Sequence, residues 1–165
     1  MNIRSPYDQL AGCTWFARIV DKIRRDQEGI LGEAYQEYLC NPSATDGLFM
    51  YFFGIDSDEL VDNVCKGLTD EELEQWFLGL EEATPEMISM WNDFGVTLGT
   101  KGPRARLKFE EALQTIYSGC DDPAVQTFYD LIDWDEGRFP NPKNCLLYTS
   151  PSPRDRTRSR MPSSA

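Results

Sequence analysis

Apolar positions along this chain recur every three to four residues, in runs divided by capping and breaking residues. That is the pattern of amphipathic helices around one core. In the first run Phe16, Ile19, Val20 and Ile23 fall at i, i+3, i+4 and i+7. Ser5 followed by Pro6 predicts the start of this helix, and Gly29 predicts its end just after Gln27. Residues 29–41 carry a weaker pattern, in which Tyr35, Tyr38 and Leu39 predict a short turn docked on the core, broken at Pro42 and Ser43. Asp46 then reads as the cap of a short aromatic segment over 48–53, closed by Gly54, which could be a buried strand but reads better as a short helix, because helices flank it and no partner strand is visible.

Two capping boxes follow, Asp56-x-x-Glu59 and Thr69-x-x-Glu72. Each cap oxygen can accept a free first-turn N–H while the glutamate returns to the cap's own N–H. Leu60, Val61 and Val64 face inward on the first helix, and Leu73, Trp76, Phe77 and Leu80 on the second. Thr84-Pro85 opens a fifth helix carrying Met87, Ile88, Met90, Trp91 and Phe94. Pro103 opens a sixth with Leu107, Leu113 and Ile116, ended by Gly119. Asp122-Pro123 opens a seventh with Val125, Phe128, Leu131 and Ile132, and 134–144 reads as turn-rich chain wrapping the surface. The predicted fold is all-α: a compact single-domain helical bundle of about six or seven helices with short loops.

The apolar period stops before the end of the chain. Residues 145–165 resemble the translation of a transposase-type sequencing-library adapter, since one reading frame accounts for every residue there. The expected division is a helical domain over 1–144 and a non-native disordered tail over 145–165, which stays out of the fold reasoning. The whole chain has 16 basic and 28 acidic residues, a net charge of −12. Without the four arginines and one aspartate of the tail, 12 basic and 27 acidic residues remain, a net charge of −15. Such a chain repels nucleic acid and anionic membranes and suits cationic or basic partners.

Histidine is absent. This removes Ser-His and Cys-His nucleophile pairs, histidine zinc sites and the Glu-x-x-His motif of di-iron bundles. Cys13, Cys40, Cys65 and Cys120 are far apart, with no C-x-x-C, and read as reduced thiols of a cytoplasmic protein. The chain opens without an apolar signal region, and its most apolar run, 48–53, is far short of a membrane span. No cofactor or metal is expected. Asp56-Ser57-Asp58-Glu59 and Asp133-x-Asp135-x-Gly137 both miss the calcium-loop template, and the acidic set reads as solvated helix face.

The candidate chemistry lies on the first helix. Arg18 and Lys22, and Asp21 and Arg25, are one turn apart beside Trp15. They read either as a carboxylate or anion clamp or as a solvated charged face. The other basic cluster is the loop Gly99-Thr100-Lys101-Gly102-Pro103 with Arg104, Arg106 and Lys108. It matches no phosphate-loop motif, and Arg106 reads more simply as the partner of Glu110. The tryptophans and phenylalanines at helical spacing read as core.

Arg4-Ser5-Pro6, Leu10-Ala11-Gly12, Trp15, Ala17-Arg18 and Asp21-Lys22 through Gly29 carry a family resemblance. Gly54-Ile55-Asp56, the Trp76 helix and Phe128-Tyr129-Asp130-Leu131-Ile132-Asp133 extend it over about 4–136. On these motifs the chain resembles the bacterial family called domain of unknown function 5069. The family usually has glycine where this chain has Ala11. The resemblance implies a compact helical cytoplasmic protein and no particular reaction, and it directs attention to Arg18, Asp21 and Lys22 inside the matching motif. The expected function is therefore that of a small, acidic, soluble binding module for a protein partner or a small anionic metabolite. In that reading Arg18 and Lys22 hold the anion and Asp21 orients them. The alternative is a small-molecule enzyme using Lys22 as base or Schiff-base nucleophile in the field of Arg18 and Arg25.

Overall fold

The computed structural model describes residues 2–139. The expected tail over 145–165 lies outside the described residues. The chain begins with a hairpin and continues as eight helices among the described residues, seven of them eight residues or longer. Strand β1 (Gln9–Leu10) pairs antiparallel with β2 (Cys13–Thr14), with Gln9 opposite Thr14 and Leu10 opposite Cys13. Ala11 and Gly12 form the two-residue turn at φ +55° and +70°. Two left-handed central residues are what the right-handed strand twist demands of a tight hairpin.

This hairpin corrects the helix expected from Pro6. The first helix, α1 (Phe16–Gln27), starts ten residues later, because Trp15 sits at φ +72° and cannot belong to a right-handed helix. Ser5 does not cap it. The Ser5 hydroxyl accepts from the Tyr7 N–H and donates to Asp133 Oδ2 at 2.7 Å. The predicted end holds: Gly29 takes φ +68° just past the C-terminus.

After α1 come α2 (Glu33–Gln36), α3 (Thr45–Phe52), α4 (Ser57–Cys65), α5 (Asp70–Leu78), α6 (Pro85–Gly95), α7 (Pro103–Thr115) and α8 (Phe128–Asp135). Asp46 is not the cap of α3 but lies in its first turn, buried. Asp56 caps α4 through the Asp58 and Glu59 N–H groups, but Glu59 turns away to accept from the Trp76 indole, so only half of that box forms. Thr69 and Glu72 form the full box. Residues 123–127 do not open a helix. Helix α8 starts at Phe128, capped by a Thr127–Asp130 box that has aspartate where glutamate is usual. On α7 the inward residues are Phe109 and Ala112, while Leu107 and Ile116 are exposed.

The core is aromatic. Phe16, Phe49, Phe53, Phe77 and Trp91 are fully buried, with ring centroids 4.7 to 6.1 Å apart. Each ring contributes roughly 1.5–3 kcal/mol by leaving water. A smaller cluster of Phe109, Ala112, Val125 and Leu131 lies under α7. Helix α8 joins the two, with Tyr129 in the main core and Leu131 in the smaller one. Close approach is needed at Gly95, where a Cβ would stand 2.4 Å from Tyr129 Oη, and at Gly47, where it would stand 2.4 Å from the Asn41 carbonyl oxygen.

Candidate functional site

Helix α1 carries Arg18, Asp21 and Lys22 on the face that packs inward, so all three are buried. Buried charge needs a partner, and each finds a different one. Lys22 Nζ donates to Asp46 Oδ2 at 2.5 Å. Asp46 also accepts from Trp15 Nε1 at 2.9 Å and from the Cys40 backbone N–H at 3.2 Å. Arg18 engages Glu136 with both terminal nitrogens, at 2.5 and 3.1 Å, and donates to the Arg4 carbonyl. Glu136 accepts further from Tyr35 Oη at 2.6 Å and from Arg138. Asp21 accepts from the Arg4 N–H, Nε and Nη2, and Arg4 and Arg24 together close on Asp70. Arg25 donates to the Ile30 carbonyl.

The three predicted residues therefore belong to two linked units. Arg18 and Lys22 lie over the Trp15 ring at 5.8 and 5.7 Å, and Arg18 lies against Tyr35 as well. Asp21 stands apart in the Arg4 unit, joined to Arg18 only through the Arg4 main chain. Asp46 and Glu136 are the acceptors that sequence reasoning missed. Asp46 looked like a cap, and Glu136 fell in what looked like surface turn. Among the described residues, two of the three non-glycine residues with positive φ, Trp15 and Cys40 (φ +50°), flank Asp46.

Burial sets the proton affinities here. It lowers Lys22 from its ordinary value, against the opposing pull of Asp46, and Arg18 adds to the lowering. Burial also raises Cys40 to about 11, helped by Asp46. It raises Tyr35 to about 12, with Glu136 adding to the effect. For Glu136 burial works upward, but the hydrogen bonds from Arg18, Tyr35 and Arg138 outweigh it and hold the carboxyl below its ordinary value. Cys40 is thus a protonated thiol at neutral pH, a poor nucleophile. Among the described residues, no group of three or more Cys, Asp or Glu side chains is placed to hold a metal ion.

Arg106 pairs with Glu110 at 2.8 Å, as the spacing predicted, and lies over Phe109. Beside it an open depression of about 600 Å³ runs from Thr100 and Arg106 to Asp121 and Asp122.

A different surface is left uncovered. Tyr51 on α3 is 86% exposed, and Met90 and Phe94 on α6 are 57% and 43% exposed. Phe52 and Phe94 both lie against the buried Trp91, at 5.4 and 5.7 Å, so this ring links α3 and α6. Among the described residues no helix is long and apolar enough to cross a membrane.

No functionally curated protein matches this chain. The profile of the family described as Domain of unknown function (DUF5069) matches residues 1–138. That span takes in the hairpin, the whole α1 centre and α8 with Glu136. The chain belongs to the DUF5069 family.

Proposed function

We infer that this protein acts by binding another protein, and that the polar centre on α1 is the frame that holds the binding surface in shape. The apolar rings exposed on α3 and α6 carry this reading. Scattered exposed apolar residues are ordinary, but a contiguous group of them marks an interaction surface. A small-anion site at Arg18 and Lys22 fits less well. Both side chains are 4% exposed and already closed by internal carboxylates. An incoming anion would have to displace Glu136 from Arg18, Tyr35 and Arg138, or Asp46 from Lys22, Trp15 and Cys40. The lysine-enzyme reading has the lowered Lys22 in its favour. Against it, a Schiff base needs room for a carbonyl carbon at Nζ, where Asp46 and the Trp15 ring already stand.

The test is photo-crosslinking in cells from a benzophenone amino acid at position 51, with position 114 on α7 as control. The expected result is a discrete protein adduct from 51 and none from 114. Equal labelling from both positions overturns the reading. So does a saturable rise in melting temperature with phosphate or acetate beyond a chloride control of equal ionic strength.

A further inference from the structure

We propose that the face formed by α3 and α6 receives a basic amphipathic helix of a partner protein. The proposal rests on the protein-binding reading above and names the chemistry of the partner.

The floor of the face is apolar. Leu48 and Tyr51 are exposed on α3 and Met90 and Phe94 on α6, and Phe52 and Phe94 both pack on the buried Trp91 that links the two helices. Exposed apolar residues on two neighbouring helices make a surface suited to a third helix whose apolar residues recur at i, i+3 or i+4, and i+7.

The rim is acidic. Glu86 and Asp93 lie one turn before and one turn after Met90 on α6. The Glu82 carboxylate lies 3.0 Å from where a Cβ of Gly54 would stand, which puts it at the C-terminal end of α3. Among the described residues none of these three is in an ion pair, whereas the buried carboxylates Asp21, Asp46 and Asp133 and the half-buried Glu136 all are. Apolar floor and unpaired acidic rim together call for apolar anchors flanked by Lys or Arg.

Charge also decides between a foreign partner and a second copy. A second copy brings the same acids to the same rim, on a chain whose net charge is −12. Like charges face to face oppose that contact, while a cationic helix is steered in.

The experiment uses the full chain and three labelled synthetic peptides of roughly 18 residues, long enough for several helical turns. One is an amphipathic helix with Leu anchors and Lys flanks, one is its scramble, and one has Glu in place of Lys. Binding is read by fluorescence anisotropy across a salt series. The basic amphipathic peptide is expected to bind at least about tenfold more tightly than its scramble, and Tyr51→Ala with Met90→Ala to weaken it by about tenfold. Glu82→Lys with Glu86→Lys is expected to flatten the salt dependence. Equal binding of the scramble overturns the proposal, because it means diffuse charge attraction alone. Preference for the Glu peptide, binding by none of the three, or a dimer of this chain closed through Tyr51 and Met90 in sedimentation also overturns it. If the position-51 adduct persists in any of these cases, the face still binds a protein and only the partner's chemistry is wrong.

Discussion

Asp46 gathers three donors that the sequence places far apart: the Lys22 ammonium, the Trp15 indole N–H and the Cys40 backbone N–H. Removing it leaves a charge and two N–H groups in the interior without an acceptor. Asp46→Ala should therefore cost about 3–5 kcal/mol in urea unfolding, the range for breaking a buried pair from one side. Adding Lys22→Met takes away the stranded charge and should recover a large part of that loss. Recovery of nothing would mean that Lys22 is satisfied without Asp46. At this scale the sequence showed which residue types matter, since Arg18, Asp21 and Lys22 stood out as a charged set beside Trp15. It did not show their partners. Glu136 is 118 residues from Arg18, and no local spacing connects them.

Among the elements, the helices were legible and the hairpin was not. Thr69 and Glu72, Thr84 with Pro85, and Pro103 act within a few residues of themselves, so their signals survive any tertiary context. The hairpin has only two residues per strand, too short for alternation to register, and its turn lacks the usual Asn-Gly or Gly-Gly. Ala11 occupies a left-handed position with a Cβ. Ala11→Gly removes that strain and should raise stability by roughly 0.5–1 kcal/mol in chemical denaturation, somewhat less than the full left-handed penalty because glycine gains freedom when unfolded. A loss of stability would show that the turn is not held as described. The start of α8 was misplaced for a similar reason. Asp122-Pro123 is a strong opener by itself, and the Thr127–Asp130 box that prevailed uses a shorter acid.

Across the whole molecule, carboxylates hold separate parts of the chain together, so acid should loosen it. Burial pushes Glu136 and Asp70 upward, but hydrogen bonds and charge from Arg18, Arg4 and Arg24 prevail, and both lie below their ordinary values of 4.5 and 3.8. A carboxylate depressed in the folded state adds stability that is complete above its unfolded value and is lost as pH falls through its folded value. Protonating exposed acids relieves self-repulsion and works the other way. The informative measurement is therefore a difference: between about pH 5 and pH 3 the unfolding midpoint of the natural side chain should fall more steeply than that of Glu136→Gln. Parallel curves would remove Glu136 from the acid response. The sequence by itself determined the helical class, most of the helix starts and the acidic character, because caps, breakers and a period of three to four residues act locally. Only the tertiary structure decided that the charged face of α1 turns inward. A helix has two polar faces as readily as one, and which of them meets Asp46 and Glu136 depends on how distant segments pack.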